Sequence, residues 1–114
     1  MADCIFCRII NRELSSEIVY EDESAVAFRD INPKAPHHVL VIPRKHIPRV
    51  SDVTTGDEPL VGHLCGIAAR LAKQLGFADA GYRLVVNCGP HGGQEVDHLH
   101  VHLLGGRQMT WPPG

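Results

Sequence analysis

The chain has 114 residues, 44% of them hydrophobic and 21% charged, and 11 basic against 13 acidic side chains leave a formal net charge of -2. That length and mixture make residues 1–114 one globular domain, exclude a disordered chain, and lack the basic excess of a polynucleotide binder, although one local site can still hold a small anion. With no apolar run of about 18 residues, and with Met1-Ala2-Asp3-Cys4 opening onto neither a basic leader nor a long apolar stretch, a cytoplasmic protein away from membranes is expected.

In chain order, Cys4 to Ile10 spaces Ile5 and Ile9 one turn apart, which predicts a short helix dependent on packing. Ile18 to Glu21 and Ala25 to Phe28, joined by Asp22-Glu23-Ser24, read as a hairpin. Ile31-Asn32-Pro33-Lys34-Ala35-Pro36 is a loop, because two prolines deny helix and central strand alike. The near-continuous apolar run His38 to Ile42 predicts a central strand with one face under a helix. Glu58 to Leu75 repeats Leu60, Leu64, Ile67, Leu71 and Leu75 at helical steps, with Thr55 or Asp57 as its cap and Gly76 at its end. Cys65 within it reads as a buried reduced thiol. Tyr82 to Asn87 and His98 to Leu104 complete the strands, and one long helix beside about five mostly antiparallel strands makes an α+β domain.

The last strand carries the chemistry. A two-residue period puts His98, His100 and His102 on one face and Leu99, Val101 and Leu103 on the other. Spacing alone permits two uses of the imidazoles. Neutral rings can ligate Zn²⁺. Alternatively, one ring whose far nitrogen is held by an acceptor can present its near nitrogen as a nucleophile. The adjoining Gly89-Pro90-His91-Gly92-Gly93 loop can bring backbone amides to a phosphate, with Gln94 and Asn87 as further polar contacts.

The chain resembles the histidine-triad (HIT) superfamily, and within it the Hint branch of nucleoside phosphoramidases. The resemblance is carried by Cys4 to Ile10, Ala27 to Ile31, Ala35-Pro36-His37-His38, Val41-Ile42-Pro43, Asn87, Gly92-Gly93-Gln94, His98 to Leu104, Gly105 to Gln108 and Trp111-Pro112-Pro113-Gly114. It implies a homodimer whose five-stranded sheets join into one of ten strands, and hydrolysis of the P–N bond of purine nucleoside phosphoramidates with no catalytic metal. His100 is then the nucleophile, flanked by His98 and His102 and completed by His38, while His37 faces the other way. Asp30 is implied as the ribose acceptor, with Ile9, Phe28 and Ile31 lining the base pocket and Ile5, Phe6 and Leu40 as further candidates. Asn87, Gly93 and Gln94 would contact the nucleotide along with His100 and His102. Glu95 departs from the family, many members of which carry serine there. Some bacterial members hold structural zinc on residues matching Cys4, Cys7, His46 and His98. The rival to catalysis is a purine-nucleotide or protein binding module with little turnover.

Overall fold

The computed structural model describes residues 3–114; Met1 and Ala2, read above as part of a leaderless start, lie outside the described residues. The elements run α1 (Ile5–Ile10), β1 (Ile18–Glu21), β2 (Ala25–Arg29), β3 (His37–Pro43), α2 (Glu58–Gln74), β4 (Tyr82–Val85), α3 (Gly89–Gly92) and β5 (Val101–Gly105). The strands form one five-stranded sheet in the order β1-β2-β3-β5-β4, antiparallel throughout. No helix among the described residues is long and apolar enough to cross a membrane.

Central β3 explains the continuous apolar run. Val39 and Val41 face the core under α2 with Leu64, Ile67 and Leu71. Leu40 and Ile42 face the opposite side and pack with Phe6 and Ile9 of α1. Thus both faces of the strand are covered, more than the one expected. The buried stripe of α1 also differs from the reading, because Phe6 and Ile9 are buried whereas Ile5 is 48% exposed. Residues three apart share the face that meets β2 and β3, and Ile5 lies to one side of it.

The helix α2 buries Leu64, Ile67, Ala68, Leu71 and Ala72, as its periodicity predicts, and Leu75 stands at its C-cap. Its start differs: Asp57 is the N-cap residue but makes no side-chain cap bond there. The Asp57 carboxylate instead accepts from the Thr54 amide, the Thr54 hydroxyl and Lys45, closing the tight turn that precedes the helix. Cys65 is half-buried, and all four cysteines are free thiols.

The Asp22 turn joining β1 to β2 is tied by its own carboxylate. Burial opposes ionisation, but donation from the Tyr20 hydroxyl, the Ser24 and Ala25 amides and His63 outweighs it and holds Asp22 well below the usual carboxylate range. On the α2 side of the sheet, His37 stacks on Phe77 with ring centroids 4.4 Å apart. A Cβ on Gly105 would run into that same ring, so glycine is required for close approach. Gly105→Ala is therefore expected to destabilise the fold by about 1–3 kcal/mol through overpacking, read as a lowered urea midpoint with an unchanged slope.

Candidate active site and metal cluster

The histidines converge, although the strand meant to align them starts late. β5 begins at Val101, so His98 and His100 precede the ladder. The partition by alternation nevertheless holds, since Leu99, Val101 and Leu103 enter the core under α2. The even-numbered histidines lie on the other side, with the rings of His100 and His102 4.9 Å apart and the edge of Phe6 against His100 at 5.2 Å. The ladder stops because the preceding residues bond elsewhere: the Leu99 amide donates to the Ile47 carbonyl and the His98 amide to Val96.

Backbone groups at two ends fix the tautomers. The Nδ1–H of His100 donates to the main-chain carbonyl of His98 at 2.7 Å, which leaves its Nε2 as a lone pair. His100 is 6% exposed and lines a cavity of about 390 Å³, within the range of small-molecule sites. At the other end the Lys34 amide donates to His38 Nδ1 at 3.0 Å. The proton of His38 is then on Nε2, which lies 2.9 Å from His102 Nδ1 and 3.5 Å from Asp30 Oδ2. His102 accepts on Nδ1 and so carries its own proton on Nε2. That buried Nε2 has no partner among the described residues. The result is a lone pair on His100 beside an uncommitted N–H donor on His102.

Burial keeps the relay neutral. It lowers His102 to about 4, with the neighbouring His100 and His38 adding to the effect and Asp30 opposing it. Burial likewise lowers His38, with Asp30 again opposing.

Asp30, Asn87, Gly93, His38, His100 and His102 of the expected residues line the cavity. Phe6 and Leu40 line it as well, whereas Ile9 and Phe28 lie in the apolar cluster beneath. Ile31 is 87% exposed and outside it.

The glycine loop folds as α3, a single helical turn with Gly93 left-handed at φ 76° at its C-cap, a conformation glycine adopts without strain. That geometry commits amides of the loop to one another. The Gly93 amide donates to the Pro90 carbonyl and the Gln94 amide to Gly89. The Gln94 side chain bonds the Gly89 amide and the Pro48 and Val96 carbonyls. Gln94 is a brace for the loop. Glu95, held in doubt by the sequence, lines the cavity, and its amide has no acceptor among the described residues.

A second cluster adjoins the first through His98. Cys4 Sγ, Cys7 Sγ, His46 and His98 offer ligand atoms all within 4.8 Å of one another. His98 Nδ1 stands 3.3 Å from Cys4 Sγ, 3.6 Å from Cys7 Sγ and 3.2 Å from His46 Nδ1. Its Nε2–H donates to the Pro43 carbonyl at 2.8 Å, so Nδ1 presents a lone pair, as metal ligation requires. Burial, then the neighbouring Cys4, pushes the Cys7 thiol up to about 11, so thiolate there calls for a cation. Two sulfurs and two imidazole nitrogens in this arrangement match the donor set of a closed tetrahedral zinc site.

The sequence matches the HIT domain family over residues 11–109. The chain belongs to the HIT family. It is 51% identical over 107 residues to the purine nucleoside phosphoramidase of Escherichia coli K12, covering 94% of this chain and 90% of that protein. A HIT family hydrolase from Legionella pneumophila Philadelphia 1 superposes with a TM-score of 0.96 at 51% identity, covering 98% of this chain and 100% of that one. A zinc-bound histidine triad family protein from Mycobacterium smegmatis matches with a TM-score of 0.80 at 29% identity, over 93% of this chain and 76% of that one.

The HIT site generates a pH dependence with a definite sign. His102 titrates near 4 in the folded chain and near 6.5 when unfolded. Between those values the unfolded state binds more protons, so the contribution is complete above about pH 6.5 and is lost as the pH falls towards 4. A His102→Asn variant lacks this uptake, and its urea midpoint should decline less steeply over that window than that of the parent protein.

Proposed function

We propose that this chain hydrolyses the P–N bond of purine nucleoside phosphoramidates, releasing a nucleoside 5′-monophosphate and an amine through a covalent intermediate on His100. The observation that carries the reading is the 2.7 Å bond from His100 Nδ1–H to the His98 carbonyl, which leaves Nε2 as a lone pair on a ring that lines the cavity. The 51% identity to a purine nucleoside phosphoramidase supports the same chemistry, that of the Hint branch.

In the first step His100 Nε2 attacks the α-phosphorus, a P–N bond to imidazole forms, and the P–N bond to the amine breaks. The amine must leave protonated, because an amide anion is a very poor leaving group. The proton comes from solvent, and His102 Nε2–H, which has no partner among the described residues, hydrogen-bonds the departing nitrogen while His38 Nε2–H, 2.9 Å from His102 Nδ1, holds the His102 tautomer. Water then attacks phosphorus, the bond to His100 breaks, and the monophosphate departs. Two easier substitutions replace one difficult one. The Asn87 side chain and the Glu95 amide, on residues that line the cavity, are assigned as donors to the charge building on the phosphoryl oxygens. Asp30 is the acceptor for the ribose hydroxyls, and Phe6 and Leu40 offer apolar surface to the base. No step calls on a metal.

Zinc is assigned to Cys4, Cys7, His46 and His98, where it would supply folding energy by tying α1 to the segment before β5. A homodimer is assigned to the β4 edge. Tyr82 and Leu84 on that strand are 37% and 36% exposed and Val86 just beyond it 40%, an apolar sheet edge of the kind proteins cover. Pairing there joins two five-stranded sheets into one of ten.

His100→Ala should cut turnover of an adenosine phosphoramidate by at least about 10⁴-fold, as loss of a covalent nucleophile does, while leaving AMP binding measurable by calorimetry. Near-normal kcat/KM in that variant rules His100 out, and absence of AMP and amine release by the parent protein favours a binding module. Sedimentation at micromolar concentration is expected to give a dimer, and Leu84→Lys to give monomer.

A further inference from the structure

His98 belongs to both clusters, and each of its polar groups is committed. Its ring Nδ1 faces Cys4, Cys7 and His46, and its Nε2–H is held by the Pro43 carbonyl. Its amide donates to Val96 and its carbonyl receives the His100 proton. The residue is 0% exposed. Because β5 starts only at Val101, no ladder partner holds the His98 peptide. Its orientation is set by its own side chain and by the Leu99 amide on the Ile47 carbonyl at 2.6 Å. Ile47 follows His46, so residues 46–47 hold residues 98–99 through a ring contact and a backbone bond together.

The N-terminal helix is tied to the same point. Cys4 is the N-cap of α1, its sulfur accepting the Cys7 amide at 3.3 Å. Between the two cysteines, Phe6 sets its ring edge-on to His98 at 5.9 Å and to His100 at 5.2 Å. Anything that fixes Cys4 and Cys7 relative to His46 therefore fixes the ring packed against the nucleophile. A bond of 2.7 Å weakens steeply with small displacements, and misplacement by about 1 Å can cost a reaction on the order of 100-fold.

We propose that the Cys4–Cys7–His46–His98 cluster acts on catalysis through His98: a divalent metal held there fixes the His98 peptide, and with it the tautomer and aim of His100. His98 is on this view a positioning residue, and metal loading regulates the active site without entering the reaction. The inference rests on the reading of His100 as the nucleophile.

The test compares full-length protein stripped by chelation with the same protein reloaded with Zn²⁺ alone. Long-range ¹H–¹⁵N spectra of the His100 ring report its tautomer without any substrate. In the loaded protein His100 is expected to be protonated only on Nδ1, and in the stripped protein to show a mixture of both tautomers. Turnover of an adenosine phosphoramidate should fall about 10- to 100-fold in kcat on stripping, the range seen when groups supporting a metal site are lost, with KM little changed. Readdition of Zn²⁺ should restore both readouts in the parent protein and neither in Cys4→Ser/Cys7→Ser. If that double variant does not fold, the stripped and reloaded parent protein decides. Failure to bind Zn²⁺ stoichiometrically overturns the proposal, as does an unchanged His100 tautomer after stripping. If the loaded protein turns over no phosphoramidate, the assigned activity fails while the tautomer comparison still decides the coupling.

Discussion

The bond from His100 Nδ1 to the His98 carbonyl exists because the chain is not yet a strand where it forms. Had β5 begun at His98, that carbonyl would have pointed along the hydrogen-bonding direction of the sheet, towards a neighbouring strand. Instead β3 and β5 pair from Val101 onward, and the Ile47 carbonyl takes the Leu99 amide. The carbonyl left over orients the ring two residues along. Much of the surrounding architecture protects this short irregular segment. Gln94 braces α3 ahead of it, Pro43 at the end of β3 receives the His98 ring, and Phe6 covers the two imidazoles.

Neutrality is the second requirement, and burial supplies it. A charged His102 would carry protons on both nitrogens and could not accept from His38. Burial lowers both rings, so the chain from the Lys34 amide through His38 to His102 keeps one direction at neutral pH. Asp30, 3.5 Å from His38, opposes that lowering without reversing it.

The elements legible in the sequence are those set by side-chain periodicity. The repeat from Leu60 to Leu75 gave α2, and the alternation from Leu99 to Leu103 separated core from site even though the ladder itself begins two residues late. What stayed hidden was decided by the backbone. Gly93 and Gln94 read as phosphate donors because glycine and amide are suited to that task, and residue type does not show that their amides also close a helical turn and that the Gln94 side chain bonds main-chain groups. Ile31, read as pocket lining, is exposed in the single chain. The role of Lys34 depends on its amide and leaves no mark on residue type. Of the metal cluster, the Cys-x-x-Cys spacing shows half; His46 and His98 come from distant segments, and the family resemblance named them before geometry did.

Both ends of the catalytic histidine system are therefore main-chain groups, the Lys34 N–H at one and the His98 C=O at the other. A backbone donor cannot ionise and a backbone acceptor cannot change tautomer, so the direction of the relay is independent of the titration of any further side chain. The cost is sensitivity to where the backbone lies. At Lys34 the position is secured by the following Pro36 and by entry into β3, the most enclosed strand of the sheet. At His98 no strand does the same work, and the fold places there a group of side chains, Cys4, Cys7, His46 and His98, whose ligand atoms lie within 4.8 Å of one another and could lock a peptide from outside the sheet. The site and the cluster thus meet at the residue where backbone order is least supplied by secondary structure.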